Sequence, residues 1–331
     1  MPDTPHASPT HAMTLSDAVA ALARGELVAF PTETVYGLGA DASNPQAIAR
    51  LYAAKGRPSA HPVIVHIANI ASLARWAREI PPAAQRLASA CWPGPLTLVL
   101  KRAPHVLDAV TGGQDTVAVR CPDHPLALAL LEACAAVGIP GLVAPSANRF
   151  GRVSPTTAGH VLDEFGAGIT GVLDGGACAV GIESTIVDVS TGTPRVLRPG
   201  MITEARIAAV LGARPAEVDA PVPRVSGALA AHYAPRTPLR LVEPSGLAAL
   251  TAQGSVAVLA FPASLSQLPE RAGLLRRPAS DAPADYARAL YANLRELDVL
   301  GCALIVVERP PNTEAWGGII DRLQRAAAAA T

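Results

Sequence analysis

The feature that most limits what this chain can fold into is an alternation, from Thr14 to about Arg214, of short apolar runs with amphipathic stretches of helical length. Such alternation builds an α/β domain. The runs Leu27 to Phe30, Val63 to Ile67, Leu96 to Leu100, Val117 to Arg120, Leu142 to Ala144, Thr185 to Val189 and Arg195 to Leu197 predict strands. Several intervals between them are too short for a helical crossover, so the sheet is expected to be mixed. Thr14-Leu15-Ser16-Asp17 reads as a capping box opening a first helix. Asn44 as N-cap, Pro45 at the first helical position and Gly56 just past the end bracket a second, which puts Lys55 at its C-terminus. Further helices are expected over Pro125 to Val137 and Thr156 to Glu164.

A chain of 331 residues, half of them hydrophobic, exceeds the size at which one core usually keeps growing. Two domains are therefore expected. Proline-rich sequence without periodicity follows at 213–238. Beyond it come a strand (Leu239 to Val242), a helix, a strand (Val256 to Ala260), a long helix near Asp285 to Asp298, a strand (Ala303 to Glu308) and a final helix. That rhythm suggests a smaller parallel-sheet domain, Rossmann-like in architecture. The expected divisions are a flexible tail at 1–12, a catalytic domain at 13–212, a linker at 213–238 and a C-terminal α/β domain at 239–331.

Charge and cysteine usage exclude several functions. The 27 cations balance 27 anions, so no global basic field is available to attract nucleic acid. Lysine supplies only two of those cations, Lys55 and Lys101. Five cysteines without CxxC spacing argue against a disulfide framework and a zinc site, and no metal-ligating set is visible. The polar N-terminal stretch lacks a signal-peptide apolar region and no run reaches membrane-spanning length, so a cytoplasmic protein is expected. Gly37-Leu38-Gly39 lacks the third glycine of GxGxxG, so neither dinucleotide binding nor a P-loop is supported.

Chemistry-bearing residues collect at strand ends. Pro31-Thr32-Glu33-Thr34-Val35-Tyr36-Gly37-Leu38-Gly39 leaves an apolar strand with hydroxyls, a carboxylate and a glycine-permitted turn; an ordinary strand exit has the same look. Lys55-Gly56-Arg57-Pro58 places two cations around a helix-ending glycine, which also suits a plain charged cap. His61 and His66 follow, the latter within a run that otherwise reads as buried. Arg120 ends a strand, where it can grip a carboxylate or phosphate bidentately or form a structural salt bridge. Ser146, Asn148 and Ser154 suit phosphate oxygens, yet Ser154 equally suits a cap for the next helix. Gly181-Ile182-Glu183-Ser184-Thr185 opens a later strand, and Arg198-Pro199-Gly200 closes the one after it.

Taken in order, PTETVYGLGADA, KGRP, HPVIVHI, WPGPLTLVL, VAVRCP, APSANRFG, GIESTIVDV and LRPG resemble the threonylcarbamoyl-adenylate synthases, a family with the YrdC-like fold. The resemblance spans about Leu27 to Gly200 and extends further. Longer family members add a second α/β domain through a linker ending in His-Tyr-Ala-Pro, and His232-Tyr233-Ala234-Pro235 stands here. Upstream, where the family has Ser-Pro-Gly-Met, this chain has Val225-Ser226-Gly227-Ala228 and keeps only the glycine.

The resemblance implies a YrdC-like domain with a twisted mixed sheet and flanking helices. It also implies that L-threonine, bicarbonate and ATP are joined into threonylcarbamoyl-AMP with release of pyrophosphate. Thr34, His66, Arg120, Ala144 and Ser184 match the family's threonine subsite. Arg57, His61, Thr116, Ser146, Ser154, Arg198 and Tyr233 match its nucleotide subsite, with His61 where the family often has asparagine. Lys55 and Asn148 complete its phosphate-binding sets, and Lys55 with Arg57 is expected to neutralise charge in catalysis. Mg²⁺ is expected with ATP, and Tyr233 is expected to fold back as part of a lid. The implied destination is the threonylcarbamoyl group on adenosine 37 of tRNAs reading codons that begin with A, through transient contact with a transferase complex or the tRNA. Two other readings stay open: carbamoyl-adenylate formation, and RNA binding without turnover.

Overall fold

The computed structural model describes residues 13–217, 222–252 and 254–330. The expected tail at 1–12 lies outside them, as does part of the expected linker. The first nine strands are β1 (Val28–Phe30), β2 (Gly37–Asp41), β3 (Ile64–His66), β4 (Leu96–Lys101), β5 (Thr116–Arg120), β6 (Leu142–Val143), β7 (Gly171–Val172), β8 (Thr185–Asp188) and β9 (Arg195–Arg198). They form one sheet in the order β7-β1-β2-β6-β3-β5-β4-β8-β9. Pairing is parallel for β1·β7, β3·β5 and β4·β8 and antiparallel for the rest, so the sheet is mixed.

Side chains alternate across this sheet and build two cores. Val28, Phe30 and Leu142 point to one face, where the helices Leu15–Ala23 and Pro125–Ala136 supply Ala18, Leu22, Leu130 and Leu131. Ala29, Val143, Leu98 and Val187 belong to the core of the other face, to which Pro45–Lys55 supplies Ile48 and Leu51, Pro82–Cys91 supplies Leu87 and Glu204–Leu211 supplies Ile207. The first helix opens on the expected capping box, Thr14 with Asp17. The second runs from an Asn44 cap to Gly56, whose φ of 61° is the left-handed turn that glycine adopts without penalty.

The structure departs from the sequence reading at β2. Pro31 to Gly39 reads as a strand exit with a permissive turn, but Gly37 and Gly39 are strand residues paired with Phe30 and Val28. Glycine is needed there for space. A Cβ on Gly39 would meet Phe30 Cε1 at 2.9 Å, and one on Gly37 would meet Ala144 Cβ at 3.0 Å. The helices Pro82–Cys91 and Glu204–Leu211 and the short β7 also lay outside the sequence expectation.

The second sheet contains β10 (Leu239–Val242), β11 (Val256–Ala260), β12 (Leu274–Pro278) and β13 (Leu304–Glu308), all parallel, in the order β10-β13-β11-β12. Helices cover both faces. Pro283–Asp298 and Gly317–Ala327 pack on Ala257, Leu259, Ile305 and Val307, while Leu247 and Leu265 pack on Val258 and Val306. The former core continues without a break into Val35, Val153, Ile182 and Tyr233 of the preceding chain. The two sheets are thus joined by apolar packing. A Cβ on Gly318 would meet Gly200 Cα at 2.8 Å, and one on Gly181 would meet Arg288 Cα at 2.4 Å.

Candidate active site

The central strands deliver polar side chains to one place. His66 and Arg120 are the last residues of β3 and β5, and the parallel register sets them side by side. Thr34 reaches them from the loop between β1 and β2. There Thr32 Oγ1 donates to Val35 O at 2.6 Å and accepts from the amides of Thr34 and Val35, a hydroxyl-closed turn that fixes the loop. Arg120 Nη1 donates to Thr34 Oγ1 at 2.8 Å, and its Nε donates to Gly94 O at 3.2 Å. Its Nη2 lies 2.6 Å from Glu33 Oε1, so Arg120 both faces the site and forms the buried ion pair that sequence left as an alternative. Neither carboxylate oxygen of Glu33 nor Arg120 Nη2 has a hydrogen-bond partner, which leaves donor and acceptor capacity open on both groups.

His66 is buried, with its pKa pushed down to about 3 by burial and then by the Arg120 charge. The ring is therefore neutral at ordinary pH. Ala144 follows β6 and Ser184 precedes β8; Ser184 Oγ lies 2.7 Å from Thr97 Oγ1.

A second group of side chains converges beside the first. Lys55 Nζ donates to Ser146 O at 2.6 Å and to Asn148 O, and burial holds its pKa well below the usual lysine value. Arg57 donates to Pro62 O at 2.8 Å and lies over the Phe150 ring. Arg198, closing β9, donates through Nε and Nη2 to Ser184 O and through Nη1 to Ser226 O at 2.8 Å. All three cations are buried, and every hydrogen-bond acceptor they have among the described residues is a neutral oxygen. None of the three pairs with a carboxylate there. Buried charge without a directly bonded counter-ion is costly, so this arrangement is complementary to an anion that makes that contact.

Both groups line one cavity that is partly open to solvent. The linker closes one side through Ser226, His232 and Tyr233. Tyr233 is buried with φ 61°, an uncommon backbone state for a side-chain-bearing residue, and its hydroxyl is unpartnered. The retained Gly227 explains itself here, since a Cβ on it would fall 2.0 Å from the Tyr233 hydroxyl. His232 Nδ1 and Asn148 Oδ1 are also buried without partners. These are open hydrogen-bonding positions on three residues that line the cavity.

Eleven of the residues singled out from sequence line this cavity: Thr34, Lys55, Arg57, His66, Arg120, Ala144, Ser146, Asn148, Ser184, Arg198 and Tyr233. His61, Thr116 and Ser154 do not. The His61 carbonyl accepts from Tyr52 and its ring meets the edge of Phe150. Thr116 begins β5, four residues or about 13 Å along the strand from Arg120. Ser154 caps no helix, a position held by Thr157, and instead donates to Glu183 Oε1 at 2.5 Å. Sequence reasoning passed over Thr32, Phe150, Glu183 and Ser226, which also line the cavity. Glu183 carried a signal, a carboxylate between Ile182 and Ser184 at a strand opening.

Two family models divide the chain. Residues 20–200 match the model described as "Telomere recombination" and residues 202–328 match the one described as "Threonylcarbamoyl-AMP synthase, C-terminal domain". The chain is 40% identical to the threonylcarbamoyl-AMP synthase of Bacillus subtilis, over 95% of this chain and 92% of that protein. The chain belongs to the threonylcarbamoyl-AMP synthase family. The Pyrococcus abyssi synthase is 37% identical, over 91% of this chain and 90% of its own length. The crystal structure described as P. abyssi Sua5 complexed with L-threonine superposes with a TM-score of 0.86 at 36% identity, covering 96% of this chain and 94% of that one. Both domains of this synthase-family chain therefore have the architecture of that threonine-bound relative.

Proposed function

We propose that this cavity joins L-threonine, bicarbonate and ATP into threonylcarbamoyl-AMP and pyrophosphate, the product serving N6-threonylcarbamoyladenosine formation at position 37 of tRNAs that read codons beginning with A. The observation that carries this reading is the set of three buried cations, Lys55, Arg57 and Arg198, whose partners among the described residues are all neutral. A triphosphate supplies the missing charge. Arg120, backed by Glu33 and beside Thr34, holds the threonine carboxylate, with neutral His66 and Ser184 completing that subsite.

In this arrangement the threonine amine combines with bicarbonate to give a carbamate and water. A carbamate oxygen attacks the α-phosphorus, the bond to the β-phosphate oxygen breaks, and pyrophosphate leaves. The protein contributes position and charge neutralisation. Lys55, Arg57 and Arg198 offset the negative charge that would repel the incoming carbamate, and Ser146, Asn148 and Tyr233 orient the nucleotide. The His232-Tyr233 segment excludes water from a mixed anhydride that would otherwise hydrolyse. Mg²⁺ would come in with ATP, carried by the nucleotide rather than by a protein cage. The described residues offer no cluster of three metal-ligating side chains, and the cavity carboxylate Glu183 is taken by Arg322. When bound, the ion supplies further neutralisation of the triphosphate.

The product then passes to a transferase complex or to tRNA by transient contact, in the cytoplasm. No helix among the described residues is long and apolar enough to cross a membrane. Incorporation of labelled bicarbonate, measured with each substrate left out in turn, tests the reading. Label must appear only with both ATP and L-threonine, accompanied by stoichiometric pyrophosphate. Incorporation without threonine would instead mean carbamoyl-adenylate formation.

A further inference from the structure

We propose that Arg322, contributed by the C-terminal domain, is a positioning residue of the nucleotide subsite, acting through Glu183 and Tyr233 together with Tyr291. This inference rests on the functional reading above.

Arg322 lies on the helix Gly317–Ala327, far from the cavity in sequence, and its side chain is 0% exposed. Its Nε donates to Glu183 Oε2 at 2.7 Å and its Nη2 to Glu183 O at 3.2 Å. Its Nη1 donates to Pro199 O at 3.0 Å. Glu183 precedes Ser184, and Pro199 follows Arg198. The same guanidinium thus grips the chain on both sides of the contact through which Arg198 donates to Ser184 O. A planar fork with five donors can span two segments in this way, which a lysine cannot.

The other end of the device is the lid. The Arg322 guanidinium lies 5.3 Å from the centroid of the Tyr233 ring, and Tyr291 stacks on that ring at 5.9 Å with an interplanar angle of 28°. Tyr291 Oη also donates to Glu183 Oε2 at 2.8 Å, while Ser154 Oγ fills Oε1. Two side chains of the second domain therefore contact the same two elements, the Glu183 carboxylate and the Tyr233 ring. Ser154 takes its place in this set, behind the cavity wall. The continuous apolar core of Val35, Val153, Ile182 and Tyr233 with Leu290, Leu294 and Ile319 keeps water from these contacts. A domain that merely followed the catalytic one in the chain would have no need to bury an arginine in its neighbour.

The nucleotide side of the cavity is where this support arrives. Arg198 and Tyr233 depend on it directly; of the threonine subsite only Ser184, next to Glu183, borders it, whereas Thr34, His66 and Arg120 hang from β3, β5 and the β1–β2 loop. Weakened support should therefore separate the two substrates. In the full-length protein, Arg322→Lys is expected to raise the KM for ATP about tenfold and Tyr291→Phe about threefold. The KM for threonine should stay within about twofold in both. Tyr291→Phe removes one hydroxyl and retains the ring, so it decides the matter should Arg322→Lys fail to fold. ATP affinity by calorimetry must follow the same order, a readout independent of turnover. An unchanged ATP dependence in Tyr291→Phe and Arg322→Lys overturns the proposal. So does a parallel rise for both substrates, which is the mark of general loosening. A wild-type protein that binds ATP but releases no pyrophosphate with threonine and bicarbonate would instead overturn the functional reading, leaving the calorimetric comparison to judge Arg322.

Discussion

Arg120 Nη2 and Glu33 Oε1 lie 2.6 Å apart with both side chains nearly sealed from solvent, and the same guanidinium holds Thr34 through Nη1. The pair does two jobs. It supplies the counter-charge that lets an arginine stay buried without substrate, and it fixes the plane in which the remaining donor capacity is presented.

Glu33→Gln keeps the shape of that contact and removes its charge. Breaking a buried pair by neutralising one member costs about 3–5 kcal/mol, so the variant should unfold at clearly lower denaturant concentration. With Arg120 no longer held, the KM for threonine should rise about tenfold, equivalent to about 1.4 kcal/mol, with little change for ATP. Urea unfolding together with two-substrate kinetics checks both parts. A larger effect on ATP than on threonine would mean that Arg120 does not serve the threonine carboxylate.

The three cations without carboxylate partners make the unliganded site electrostatically unfavourable. Pyrophosphate alone should therefore stabilise the fold, by about 2.7 kcal/mol at a hundredfold excess over its Kd. Lys55→Met should abolish most of that gain while costing the unliganded protein little, because an expensive buried ammonium goes with the two hydrogen bonds it made. Thermal melts with and without pyrophosphate read the difference. Equal stabilisation of wild type and variant would remove Lys55 from the phosphate set.

Two buried histidines give the fold an acid sensitivity of definite sign. His66 and His232 each have their pKa lowered to about 3, in both cases chiefly by burial. Between about 6.5 and 3 the unfolded chain binds protons that the folded chain refuses, so stability falls as pH drops through that window. At pH 5 the loss is about 2 kcal/mol for each histidine. Glu183, lowered to about 2 against the burial that would raise it, by Arg322 first and then Arg198 and Ser154, adds its own loss only below about 4.5. His232→Gln should flatten the slope between pH 6.5 and 5 while leaving the steeper fall below 4.5. Unfolding midpoints measured across pH 4 to 8 test it, and a wild-type midpoint constant from 6.5 to 5 would refute it.

Local rules carried the sequence reading where local physics decides the structure. The helix from Asn44 to Gly56 was legible because capping and left-handed termination are written into adjacent residues. The mixed sheet followed from interval lengths. Most cavity residues were legible only through motif order, since a threonine at a strand exit or an arginine at a strand end has many uses. What escaped was long-range. Gly37 and Gly39 are explained by Ala144 and Phe30, which are remote in sequence from the one or paired only across a hairpin with the other. Thr116 opens the strand that Arg120 ends and lies outside the cavity lining, a placement no local pattern reveals. Arg322 lies more than a hundred residues from Glu183, on a helix whose sequence reads as ordinarily amphipathic. No local pattern marks a residue whose purpose is to cross a domain boundary.

Tyr233→Phe separates the lid's shape from its chemistry. The hydroxyl is buried without a partner, so its removal leaves no acceptor or donor stranded and should not destabilise the unliganded protein. The ring contacts with Arg322 and Tyr291 are unaffected, so the lid should keep its position. If the hydroxyl is held open for the nucleotide, the loss should appear only with ATP present, as a rise of about tenfold in its KM, or about 1.4 kcal/mol. Tyr233→Ala, by contrast, removes the ring that the buried arginine and tyrosine grip. It should cost about 3–5 kcal/mol in stability as well as activity. A Tyr233→Phe variant with wild-type ATP dependence, alongside a crippled Tyr233→Ala, would make the ring alone the working part and reduce the lid to a steric cover.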